Sequence, residues 1–268
     1  VNRGDSIKIS CVGYESLTLH PNQISPIIEL TPAITQLSEV IISSKPINPR
    51  VIVRRAFAHI SKNYSKSDFQ QKFFYRHYCM DDSVYGRLIE ASVDILKHQG
   101  YRHLRNHSGE HEEIRVNHLR RSLDKTISAQ GHEPISIGNI IQSDLVGYQT
   151  SEQNVYPKFY EAASNLKTDF EKYVYTVDGI TVHDGQEVYM INYKSKSDSI
   201  LTTSGYVPSP SASGSLYITM GNYAIIKSEE IKQDGPNNIH TTAYYRKYGD
   251  QYYPYHFIRE GNNSLVGN

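Results

Sequence analysis

The sequence predicts a β-dominated α+β fold: the closing strands of a β-sandwich, a linker helix, and a large antiparallel sheet with helices on one face. Three observations carry this. Residues 214–220, 222–231, 241–248 and 251–258 are β-prone runs joined by Gly221-Asn222 and Gly249-Asp250, turn pairs in which φ > 0 costs little. The proline-marked stretch 45–49 precedes a stripe of apolar residues at helical spacing. The first 43 residues break into short alternating runs.

Taken in order, 6–12 alternates as a strand, 16–19 continues it after a turn, and 26–32 and 38–43 follow as two more. Pro49 suits the first turn of a helix with Asn48 as its N-cap. The helix is expected to run to Asn63 and to turn Val51, Ile52, Ala56 and Ile60 inward. Residues 73–79 and 84–96 read as a hairpin around 80–83, and 113–120 as a strand inside a polar, histidine-rich stretch from 97 to 135. Short helices are expected at 137–148 and 156–166. Residues 171–177 and 187–193 pair across a loop carrying Asp178-Gly179 and Asp184-Gly185, and 204–215 reads as a mobile Ser/Pro/Gly loop. Alternation puts Leu216, Ile218 and Met220 on one side of their strand, and Tyr253, Tyr255 and Phe257 on one side of theirs. It also places Val188 and Met190 opposite Tyr189, Ile191 and Tyr193, so that sheet needs a cover on each face. The Pro49 helix is expected to supply one cover, and the segments within 137–166 most of the other. The domains are thus 1–44, 45–68 and 69–268.

Composition narrows the function classes. Of 268 residues, 28 are Lys or Arg and 28 are Asp or Glu, so the totals carry no nucleic-acid footprint. No run of about 18 apolar residues is present, which excludes a membrane-spanning helix in this sequence. Val1-Asn-Arg-Gly-Asp-Ser6 has neither initiator Met nor signal core and reads as a processed or truncated start. With 22 Tyr, 7 Phe and no Trp, many aromatic rings are expected at the rims of strands. Cys11 and Cys79 make no disulfide framework and are read as unbridged.

No constellation reads as catalytic. His103, His107 and His111, with Glu110 and Glu112 beside them, have the i, i+4, i+8 spacing of a zinc or nickel ligand set. Gly100, Asn106 and Ser108-Gly109 work against the helix that would align them, so the segment reads as a solvated loop. His107-Ser-Gly-Glu110 matches the His-x-x-Glu ligand pair of some zinc carboxypeptidases, a match that 12 histidines make unsurprising. Arg115, His118, Arg120, Arg121 and Lys125 read as an exposed basic strand face. Arg3-Gly-Asp5 reads as a turn rather than an adhesion motif. No nucleophile elbow, phosphate-binding glycine loop or His-Glu-x-x-His occurs. Catalytic, cofactor-binding and metal-binding residues are all expected to be absent.

Residues 7–15, 28–32 and 37–42, in that order, resemble the closing strands of a carboxypeptidase-regulatory-like, or transthyretin-like, domain. The helix, then 73–76, 214–219 with 223–226, and 245–248 with 252–254, resemble carboxypeptidase-like regulatory domain-containing proteins of Gram-negative envelopes. The resemblance implies no peptidase activity. It implies export to the periplasm or outer-membrane surface, and a C-terminal part shaped like the curved half-barrel of lipoprotein carriers. The chain departs from the pattern in lacking the front of the sandwich and in its His-rich 98–118 segment. The resulting expectation is a non-enzymatic envelope accessory protein that holds an apolar ligand, its own helices or a partner segment. The alternative is a metal-dependent hydrolase built on that histidine segment.

Overall fold

The computed structural model describes residues 6–9, 14–31, 34–35, 47–81, 83–101, 112–124, 137–141, 144–146, 166–167, 170–196, 199–202, 205–208, 211–234 and 237–262. In chain order its elements are β1 (Ile7–Ile9), β2 (Leu17–Leu19), β3 (Ile34–Thr35), α1 (Pro49–Ala58), α2 (Ile60–Asn63), β4 (Phe69–Asp81), β5 (Val84–Lys97) and β6 (Glu112–Asp124). There follow α3 (Ile137–Ile141), β7 (Tyr173–His183), β8 (Gln186–Ser195), β9 (Ser199–Thr202), β10 (Gly205–Pro208), β11 (Ser211–Thr219), β12 (Ile225–Asp234), β13 (Asn237–Tyr248) and β14 (Gln251–Asn262).

The fold is β-dominated, as expected, and its main sheet is curved and antiparallel without closing into a barrel. The strand order is β14-β13-β12-β11-β8-β7-β3, with the two-residue β3 at one edge. A second sheet has the order β4-β5-β6. The pairing registers skip Asp178, Ile226 and Tyr255, one extra residue in each of β7, β12 and β14. Bulges of this kind bend and twist the strand that carries them, which accounts for the curvature.

The bulges overturn two readings based on strict alternation. Asp178-Gly179 lies within β7, and only Asp184-Gly185 makes the β7–β8 turn. Tyr255 interrupts the phase of β14, so Tyr253 pairs opposite Arg246 while Phe257 pairs opposite the buried Ala243, and the three aromatics do not share a side. One loop reading and one strand reading also change. Of the stretch read as a loop, 205–208 form β10, paired with β9, and 211–215 open β11. Residues 26–31 carry no strand, since Pro26 and Pro32 remove amide donors at both ends. The 38–43 strand and most of the 156–166 helix lie outside the described residues. The turn before β12 takes its left-handed residue from Tyr223 (φ 60°) rather than Gly221-Asn222, whereas Gly249 (φ 61°) turns β13 into β14.

The N-terminal half of α1 forms as its sequence dictates. The Asn48 side chain accepts from the amides of Arg50 (3.1 Å) and Val51 (3.4 Å), with Pro49 at the first helical position. Its buried stripe is Ile52, Val53 and Ala56, continued by Ile60 of α2. Val51, expected inside, is 42 % exposed, while Val53 is fully buried. The stripe spans adjacent positions 52 and 53, and the next helical turn of it falls on 56, so 51 rotates to the rim. These residues join one core with Tyr175, Ile191, Tyr193, Leu216 and Ile218 on one face of the main sheet, and with Val188, Met190 and Tyr217 on the other. Both faces are therefore covered, as the alternation required. Val146 and Leu166 enter this core, while Ile137 and Ile141 of α3 pack on Ala91, Val93 and Ile95 of the second sheet.

Candidate functional site

Where the second sheet meets the main one, four tyrosines cluster, and two of them bond a buried carboxylate. β5 ends at Lys97, and the chain turns through Gln99 (φ 54°) and Gly100 (φ 53°). A Cβ at Gly100 would lie 2.2 Å from the Ser65 carbonyl oxygen, which accepts from the Tyr101 amide at 2.6 Å. That close approach fixes Tyr101 beneath Tyr64, with ring centroids 5.3 Å apart. Tyr64 also meets Tyr245 at 5.7 Å and Tyr252 at 6.0 Å, and donates its hydroxyl to the Ile225 carbonyl at 2.5 Å. An isolated bridge between Tyr64 and Tyr252 joins the chain after α2 to the edge strand β14.

Asp144 sits at the centre. Its Oδ2 accepts from the Tyr101 hydroxyl at 3.0 Å and its Oδ1 from that of Tyr245 at 2.7 Å. Lys97 Nζ approaches Oδ2 to 4.0 Å, lies 5.2 Å from the centroid of the Tyr101 ring, and is hydrogen-bonded to Glu112 of β6. Burial raises the pKa of Tyr64, Tyr101 and Tyr245 well above the ordinary phenol value, and the negative charge of Asp144 raises each further. Burial lowers the Lys167 pKa, with Asp144 opposing that shift. The phenols are thus held as donors, and the carboxylate is sealed from solvent with both oxygens occupied. This arrangement ties three separated segments together.

Two further charged clusters hold elements together. Glu171 receives Arg54 at 2.6 Å and also Arg50, while both guanidinium groups lie over the Phe170 ring, at 5.0 and 4.8 Å. This clamps α1 to the start of β7, and Arg50 adds a hydrogen bond to the Tyr173 carbonyl at 3.3 Å. On the outer face of the second sheet, Arg76 and Arg120 flank Glu90, at 2.8 Å for each of Arg76 Nη2 and Arg120 Nε. Arg120 first, then Arg76, holds the Glu90 carboxyl below its ordinary range.

The residues singled out in the sequence are distributed as follows. His103, His107, His111 and Glu110 lie outside the described residues, as do Lys125, Cys11 and the Arg3-Gly-Asp5 tripeptide. Glu112 bonds Lys97, and Cys79 is a free thiol. Because the register skips Asn117, Arg115 shares one face of β6 with His118 and Arg120, and Arg121 falls on the other. Among the described residues no group of three or more His, Cys, Asp or Glu is placed to hold a metal. Sequence reasoning missed His98, whose Nε2 meets Glu113 at 2.6 Å and whose Nδ1 meets Asp68 at 3.3 Å. Both carboxylates raise the His98 pKa, Glu113 the more. It also missed the Asp144 cluster, whose partners are 43 and 101 residues away in sequence and form no local motif.

No protein-family model matches the chain, and no curated protein matches it. Among solved structures, a DUF1329 family protein from Desulfovibrio piger is similar at 9% identity and a TM-score of 0.26, over 81% of this chain and 92% of that one. At that score the likeness establishes neither fold nor function.

Proposed function

We propose that this chain is a non-enzymatic accessory protein of the Gram-negative cell envelope, whose curved sheet is a filled scaffold rather than an empty carrier. The observation that carries this reading is the seating of Ile52, Val53, Ala56, Ile60 and Tyr64 in the same core as Ile191, Leu216 and Ile218. Where a carrier leaves room for an acyl chain against such a sheet, this chain places its own helix and a tyrosine. The sealing of Asp144 supports the non-enzymatic part. Export and an envelope location rest on the resemblance of 7–15, 28–32 and 37–42 to a carboxypeptidase-regulatory-like domain. Its role is then to present surfaces to an envelope partner.

The test is a dual analysis of untagged protein purified from cells. Organic extraction should release no stoichiometric lipid, and elemental analysis after dialysis should find no zinc or nickel. Bound lipid at one equivalent would make the protein a carrier. One equivalent of zinc, lost on His107→Ala, would establish the hydrolase alternative instead.

A further inference from the structure

β6 is the last strand of the second sheet, and among the described residues no strand pairs with its outer edge. Residues 113–122 are exposed without a break, and Ile114, Val116 and Leu119 are 40, 51 and 56 % exposed. An edge this long presents a row of amides and carbonyls that a further strand can pair with. β6 contains no proline, so every residue along this edge keeps its amide donor.

The register against β5 puts Glu112, Ile114, Val116, Leu119 and Arg121 on one face. Glu113, Arg115, His118 and Arg120 lie on the other, the phase shifting at Asn117. Between 112 and 121 each face of β6 therefore begins acidic and ends basic, and the first face has an apolar middle of Ile114, Val116 and Leu119. Laid antiparallel against itself about an axis between Val116 and Asn117, the strand matches face to face. Glu112 then stands opposite Arg121, Glu113 opposite Arg120 and Ile114 opposite Leu119, while Arg115 opposite His118 and Val116 opposite Asn117 are not complementary. A two-fold axis repeats each pairing. Parallel pairing in register would set like charges side by side.

We propose that β6 pairs antiparallel with β6 of a second copy of this chain, joining the two three-stranded sheets across the edge. The occupant is a second copy because the strand's own charges supply the complement. Glu112 and Glu113 already bond Lys97 and His98, and Arg120 bonds Glu90, but carboxylates and guanidinium groups have capacity for a second partner. One strand pair buries little surface, so the dimer belongs to the weak, transient class below about 1,200 Å². The isologous contact closes at two copies.

Sedimentation equilibrium of the full chain tests this, with two variants, Ile114→Lys/Leu119→Lys and Ile114→Glu/Leu119→Glu. Both positions are exposed and bear none of the ion pairs named above, so the melting temperature should hold. The native chain should fit a monomer–dimer equilibrium that weakens with salt. Each variant alone should stay monomeric, because like charges face each other twice, and a 1:1 mixture should recover the dimer. A native chain that is monomeric at every concentration, variants that dimerise like the native chain, a mixture that stays monomeric, or open-ended polymers would each overturn the proposal. Should either variant melt early, amide exchange across 113–121 of the native chain decides: slowing with concentration supports the pairing, and concentration-independent exchange refutes it.

Discussion

Tyr245 donates its hydroxyl to Oδ1 of Asp144 at 2.7 Å, across 101 residues of sequence, in a site closed to solvent. A hydrogen bond to a buried charge is worth about 1.5–3 kcal/mol, and Tyr245→Phe should lower unfolding free energy by that amount. Asp144→Ala leaves two phenols and Lys97 without their common partner, and should cost about 3–5 kcal/mol. Urea denaturation checks both. Equal, negligible losses would mean that the cluster is not a structural tie.

The face that α1 buries separates neighbouring valines and isoleucines. Ile52→Ala opens a cavity in the main core and should cost about 2–5 kcal/mol, while Ile52→Asp buries an unpaired carboxylate and should prevent folding. Val51→Ala, at a 42 % exposed position, should stay within about 0.5 kcal/mol. Thermal melts of the three variants side by side measure this, and a melting temperature unchanged by Ile52→Asp would mean that the helix is a free linker.

Gly214 sits under the Tyr193 ring, opposite it in the β8–β11 register. A Cβ there would approach the Glu229 carbonyl oxygen to 1.9 Å and the Tyr193 hydroxyl to 2.7 Å, and that hydroxyl donates to Glu229 O at 3.0 Å. Backbone cannot yield as a long side chain would, so Gly214→Ala should destabilise by about 1–3 kcal/mol despite the better strand propensity of alanine. A neutral result in chemical denaturation would place the Tyr193 ring elsewhere.

Two histidines respond to pH with opposite sign. Glu113 and Asp68 raise the pKa of His98, so its contribution to stability is fully present below the unfolded value of about 6.5 and is lost as pH rises through the folded value. Burial, aided by Arg87, lowers the pKa of His77, so its contribution is present above about 6.5 and is lost as pH falls through its folded value. The destabilisation caused by His98→Gln should therefore be largest near pH 5.5 and shrink by about pH 8.5. Denaturant midpoints measured across that range check the trend, and a constant difference would show that the His98 ion pairs do not form.

The parts legible in the sequence are those set by local chemistry. Asn48-Pro49 announced the helix start, Gly249-Asp250 the last turn, and alternation in β8 the need for a cover on each face. Register failed wherever one extra residue entered a strand, since period-two reading has no means of seeing Asp178, Asn117 or Tyr255 as additions. Val51 was misplaced by one position for a related reason: a stripe of three adjacent β-branched residues at 51–53 leaves its phase to the packing partner. The Asp144 cluster had no signal, because Tyr101, Asp144 and Tyr245 become neighbours only through the folded topology.

Titration of the native protein with a fluorescent apolar probe checks whether the chain fills its own curved sheet. With Val53, Tyr64, Ile191, Leu216 and Ile218 packed in one core, the fluorescence should be weak, non-saturating and not displaced by added lipid. Saturable binding of one probe per chain at micromolar concentration, competed by lipid, would contradict it and establish a carrier.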